Sequence, residues 1–142
     1  KSDDILEKIK EYGTKISFDY ATSYDSEMVN RTVPFVDYGF FSFKNKNQFV
    51  RDFLKDKVRR GMKIAVATFG EIGSMAWDGS RFYEFSIFPA EVVNAVGAGD
   101  SFIAGFLCAI LNHKPIDKAL EQGAKVAAQV VSVFEPWVTQ DK

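Results

Sequence analysis

Gly97-Ala98-Gly99-Asp100 places two glycines around one small residue and ends in a carboxylate, ahead of the apolar run Phe102 to Leu111. The spacing predicts a loop that leaves a short strand at Val92-Val93 and opens a helix at about Asp100. Glycine has no Cβ, so backbone amides in such a loop can approach a ligand closely. A helix start adds unpaired N–H groups and the positive end of the helix dipole, which together favour an anion. Asp100 has two readings: an N-cap that serves only its helix, or a base placed beside a bound anion. Gly105, inside the following helix, marks a point where another element comes close.

The elements that must hold this loop are legible from periodicity. Ile5, Leu6 and Ile9 share one helical face over Ser2 to Tyr12, with Ser2 as cap and Gly13 as stop. Lys15 to Asp19 reads as a strand ending in a carboxylate, Tyr20 to Pro34 as a loop with one helical turn, and Val36 to Ser42 as an aromatic strand. Phe49, Val50, Phe53, Leu54 and Val58 line one face of a helix that closes at Gly61. Lys63 to Thr68 is a short apolar run of the kind buried in a parallel sheet. This alternation argues for an α/β domain with right-handed crossovers. Gly73 to Trp77, an Asp78-Gly79 turn and Arg81 to Phe88 form an additional β-hairpin. A final helix starts near Pro115 and carries Ile116, Ala119, Leu120, Gly123, Val126, Ala127, Val130 and Val131.

Composition narrows the classes. The chain of 142 residues is 46% hydrophobic and 26% charged, as expected of one soluble globular domain. Its 18 Lys+Arg and 19 Asp+Glu give a net charge of -1, which supplies no attraction to nucleic acid or to an anionic membrane. One cysteine, Cys108, excludes a disulfide within the chain, and the polar start carries no secretory apolar segment, so the expected location is cytoplasmic.

Gly97-Ala-Gly-Asp100-Ser-Phe-Ile-Ala-Gly-Phe106 resembles the C-terminal signature of the ribokinase (PfkB) family of carbohydrate kinases. The resemblance implies the C-terminal part of a ribokinase-like three-layer α/β/α doubly wound sheet, without the N-terminal half that carries the sugar pocket and lid. It implies that Asp100 takes the proton from a sugar hydroxyl, with the amides of Gly97, Ala98 and Gly99 as an anion hole for the transferring phosphoryl group. Thr68-Phe-Gly70-Glu-Ile-Gly73 is similar to the family's T-x-G-x-x-G turn, which implies ATP contact for Thr68, Gly70 and Gly73; by itself it would read as a plain turn between strands. Asn45-Lys-Asn-Gln48 matches the family's N-x-x-E in part. That motif implies a place for Asn45 near nucleotide and Mg²⁺, while Gln48, standing for the carboxylate, holds a hydrated cation less strongly. Asp19 falls where the family has D-x-N, with Ala21 in place of the Asn; it has a phosphate-side reading and a plain strand-end reading.

Within the family, Gly73 to Gly79 and Gly99 to Cys108 are most similar to the fructoselysine 6-kinase branch, and the ending through Phe134 and Trp137 is similar in character. That resemblance implies a glycated amino acid (a fructosamine) as substrate, phosphorylated at the 6-hydroxyl. Asn94 and Ala95 replace the usual Asp-Thr, which weighs against a monovalent-cation site. Half of such a sheet leaves an open edge, and a homodimer would cover it. The isolated chain is expected to have little kinase activity.

Two other readings compete. A non-catalytic nucleotide-binding or interaction module is the reading that Gln48, Asn94 and Ala95 favour. A dinucleotide-binding fold is disfavoured because the loop comes late and lacks G-x-G-x-x-G with a following acidic residue. Cys108, Phe40, Phe41, Phe43, Trp77 and Trp137 are expected in packing, and Lys55, Lys57, Arg59 and Arg60 on a solvated helix end. His113, between the last two helices, is expected as a cation at a helix C-terminus.

Overall fold

A computed structural model describes residues 2–11, 13–87 and 98–140, with side chains described over 5–11, 13–87 and 98–129. In chain order the elements are α1 (Ser2–Glu11), β1 (Ser17–Ala21), α2 (Glu27–Thr32), a 3-10 turn (Val33–Phe35), β2 (Tyr38–Ser42), α3 (Gln48–Arg59), β3 (Ile64–Thr68), a second 3-10 turn (Gly70–Ile72), β4 (Ser74–Trp77), β5 (Phe82–Phe85), α4 (Ala98–Leu111) and α5 (Ile116–Gln140). The sheet order is β1-β2-β3-β4-β5, with β1-β2 and β2-β3 parallel. The expected Val92-Val93 strand, Phe88, Asn94, Ala95 and Gly97 lie outside the described residues, as do the side chains of Val130, Val131, Phe134 and Trp137. None of the described helices is long and apolar enough to cross a membrane.

The chain divides into two compact units, residues 1–70 with 75–82, and residues 71–74 with 83–142. In the first, β2 is buried along nearly its whole length and β3 likewise, as befits central strands of a parallel sheet. Phe41, Val50, Leu54, Ala65, Ala67 and Met75 are part of one apolar cluster around them. Asn47 starts α3 by accepting the Val50 N–H at 3.2 Å. Helix α1 is tied down at its end: Lys10 Nζ reaches Asp37 Oδ2 at 2.6 Å, and the Ile16 N–H donates to the same oxygen at 2.8 Å.

Several expectations are corrected here. The stretch from Tyr20 to Pro34 contains α2 and a 3-10 turn, because Val29, Thr32 and Val33 are buried and Thr32 Oγ1 pairs with the Tyr20 hydroxyl at 2.6 Å. Burial raises the Tyr20 pKa, a shift that this hydrogen bond only partly offsets. Strand β1 runs two residues past Asp19, so Asp19 does not end it. The Asp19 carboxylate instead accepts the Ala21 N–H at 2.9 Å, and Ala21 takes a left-handed φ of 51°. Phe49 is 58% exposed and so does not belong to the core face of α3. Lys57 is buried, with its ammonium 3.0 Å from Asp56 and 4.5 Å from the Phe53 ring centroid; it is not on a solvated face. Lys55 covers the Trp77 and Phe82 rings. The hairpin turn centres on Gly79-Ser80, one residue later than expected: Asp78 accepts the Ser80 and Arg81 amides, and Gly79 alone takes the positive φ.

Asp56 sets part of the acid stability. Burial opposes its ionisation, but a hydrogen bond from Lys57 and the charges of Lys57, Arg60 and Arg59 outweigh that and hold the carboxyl below its ordinary range. A depressed carboxylate contributes stability above its unfolded pKa and loses it as pH falls through the folded one. Asp56→Asn should therefore flatten the acid limb of a stability–pH curve measured by denaturant unfolding; an unchanged limb would reject the role.

In the second unit α4 and α5 pack closely. A Cβ on Gly105 would lie 2.9 Å from the Gln122 carbonyl oxygen and 3.0 Å from Gly123 Cα, so α5 is the element whose approach requires glycine there. Cys108 is exposed, contrary to the core placement expected for it. Helix α4 ends in a paired closure, with His113 N–H to the Ile110 carbonyl at 3.0 Å and Lys114 N–H to the Ala109 carbonyl at 3.0 Å. This puts His113 at φ 61°, the position where glycine is favoured. His113→Gly should raise stability by about 0.5–1 kcal/mol, since relief of the left-handed strain exceeds the added freedom of the unfolded chain. A lower thermal midpoint would contradict this.

Candidate functional site

The candidate residues fall in both units. In the first unit β2 and β3 end side by side, with Ser42 paired to Thr68 in register. The Phe43 N–H donates to the Thr68 carbonyl at 3.0 Å, and Ser42 Oγ lies 3.3 Å from Thr68 Oγ1. Thr68 is thus held at both backbone and hydroxyl, half-buried, at the carboxyl end of a parallel strand. In an open α/β sheet that is the end where ligands bind. Asn45 is exposed in the loop that begins beside this pair. Gln48 is the first residue of α3, and its amide donates to Asp52 Oδ1 at 2.9 Å. Ser42 was not a candidate from sequence, because only the strand register reveals that its hydroxyl faces Thr68.

The glycines of the two motifs separate by what requires them. Gly73 has φ 127°, and a Cβ there would lie 2.3 Å from the Phe85 carbonyl oxygen. Local packing therefore accounts for it without any ligand. Gly70 has φ 60° and open space around a would-be Cβ. Gly99 shows neither constraint among the described residues: it stands second in α4, takes no left-handed φ, and a Cβ would meet none of them within 4 Å. A glycine inside a helix is less favourable than alanine by about 1 kcal/mol, so the described residues alone do not ask for it.

Helix α4 opens at Ala98, about two residues before the expected start. Asp100 is consequently the third helical residue, exposed in the first turn, and does not cap the helix. A carboxylate there is favoured by the dipole. The N–H groups of Ala98, Gly99 and Asp100 are among the first four of a helix, which have no partner within it. Gly97, expected to complete this set, lies outside the described residues. The described first turn of α4 thus carries Gly99 and an exposed Asp100 carboxylate.

The described residues hold no group of three or more His, Cys, Asp or Glu side chains suited to a metal ion.

Comparison with known proteins agrees with this picture. The chain is 34% identical over 136 residues to fructoselysine 6-kinase of Escherichia coli (strain K12), covering 96% of this chain and 52% of that protein. It matches the microbiome-derived acarbose kinase Mak1 with a TM-score of 0.81 and 26% identity, covering 92% of this chain and 46% of that one. A ribokinase from Thermotoga maritima shares the fold, with a TM-score of 0.75 at 22% identity over 90% of this chain and 46% of its own. The chain thus spans about half the length of the relatives it matches. Residues 39–137 match the pfkB family carbohydrate kinase profile. The ribokinase-like α/β architecture and these matches agree, and the chain belongs to the pfkB family of carbohydrate kinases.

Proposed function

We propose that this chain carries the nucleotide-handling and proton-accepting part of an ATP-dependent sugar kinase whose substrate is a fructosamine such as fructoselysine, phosphorylated at its 6-hydroxyl. The observation that carries the reading is Gly99, a glycine in an exposed helical turn that neither backbone strain nor packing against the described residues requires. Its absent Cβ leaves room for a ligand to reach the amides of α4's first turn. In this reading the amides of Ala98 and Gly99, with Gly97, hold the charge that develops on the transferring phosphoryl group. Asp100 accepts the proton of the attacking sugar hydroxyl, and Thr68 and Gly70 face the nucleotide. Phosphoryl transfer asks for little more than a positioned oxygen and stabilised charge. The fructosamine assignment follows the 34% identity to a fructoselysine 6-kinase. Turnover belongs to a protein of the relatives' full length; the isolated chain binds nucleotide without completing the reaction.

Gly99→Ala tests this directly. The thermal midpoint should stay level or rise, because alanine favours the helix, while affinity for MgATP by calorimetry should fall about tenfold as the methyl group blocks the approach to the amides. Unchanged affinity would reject the assignment of this turn.

A further inference from the structure

The hydroxyl pair at the ends of β2 and β3 has a property that the motif reading alone does not supply. Ser42 and Thr68 are direct register partners on parallel strands, and their side-chain oxygens are 3.3 Å apart. Both are half-buried, so one side of the pair remains open. The Thr68 carbonyl is already engaged by the Phe43 N–H, which leaves the side-chain hydroxyl as the group free to serve a ligand. A hydroxyl has one proton and two lone pairs. If Thr68 donates its proton to Ser42, it has none to give to an acceptor. If Ser42 donates to Thr68, the Thr68 proton is released outward.

We infer that Ser42 is a positioning residue for the nucleotide: its hydroxyl donates to Thr68 Oγ1 and so turns the Thr68 proton toward an acceptor oxygen of the bound nucleoside triphosphate. The inference rests on the reading of Thr68 as a nucleotide contact. Two hydroxyls in series polarise one another, so the outer bond is stronger than an isolated threonine would make. Without Ser42 the Thr68 hydroxyl rotates freely, and its proton can turn back to a protein carbonyl.

The test is a double-mutant cycle read by calorimetric titration of MgATP into the 142-residue chain, with thermal midpoints as the folding control. Thr68→Ala should weaken binding about fivefold or more, the effect of one lost hydrogen bond. Ser42→Ala should weaken it by a similar factor with an unchanged midpoint, and Ser42→Thr, which keeps the hydroxyl, should retain wild-type affinity. The double variant should bind no more weakly than Thr68→Ala alone, because Ser42 acts through Thr68. Wild-type affinity in Ser42→Ala, multiplied losses in the double variant, or failure of Ser42→Thr to restore binding would each overturn the inference while the Thr68 assignment stands. Wild-type affinity in Thr68→Ala would overturn the assignment of Thr68 itself, and the inference with it.

Discussion

Asp100→Asn, in a protein that joins this chain to the remainder of a full-length kinase, is expected to lower kcat for phosphorylation of fructoselysine by about 10²–10⁴-fold while the KM for ATP changes little. The variant keeps the shape of the side chain and its place in the first turn of α4 but removes the group that can accept a proton. Asp100 is exposed, inside the first turn of the helix. The lost charge–dipole interaction is worth only about 0.3–1 kcal/mol. A large kinetic effect with a small effect on stability is therefore the signature of a base. A cap would give the reverse, a fall in thermal midpoint with turnover preserved.

The second large effect concerns stability. Gly73→Ala places a methyl group 2.3 Å from the Phe85 carbonyl oxygen and 3.0 Å from Ser86 Cα, at a φ of 127° that L-residues rarely adopt. Both obstacles are backbone, so neither moves aside as a flexible side chain would. Steric overpacking and backbone strain together should reduce stability by about 3 kcal/mol or more, a large share of the roughly 5–15 kcal/mol typical of a folded domain. Gly70→Ala in the same motif meets no atom within 4 Å and carries only the left-handed strain, about 1–2 kcal/mol. Denaturant unfolding of the two variants should show the difference as separated midpoints. Equal midpoints would mean that the tight approach of residues 85 and 86 to Gly73 is not what holds this turn.

The contrast between these two glycines also shows how much the sequence could reveal. Both stand in one motif and look equivalent as letters, yet one is needed by packing and the other faces open space. The alternation of helices and buried strands was legible because β2 and β3 are apolar along their length, as central parallel strands must be. Helix α2 was legible only as one helical turn in a loop, since its short apolar spacing, Met28, Val29, Thr32 and Val33, sits in a polar stretch and gains its order from burial and the Tyr20–Thr32 hydrogen bond. Lys57 misled because its charge suggests solvent, whereas Asp56 and the Phe53 ring give its ammonium partners under cover. The loop at Gly97 to Asp100 was legible as a candidate anion site from its glycine spacing ahead of a helix. The boundary of α4, which removes Asp100 from the cap, required coordinates, as did the pairing of Ser42 with Thr68 across two strands that are far apart in sequence.

The central claim is that the amides at the start of α4 take the phosphates of a nucleotide. The most direct measurement is a titration of the isotope-labelled chain with MgATP, followed by amide proton–nitrogen correlation spectra. The account predicts that the amides of Ala98, Gly99 and Asp100 shift along one saturable curve. Saturation with these amides unmoved, or no saturable shift anywhere at millimolar MgATP, would contradict it.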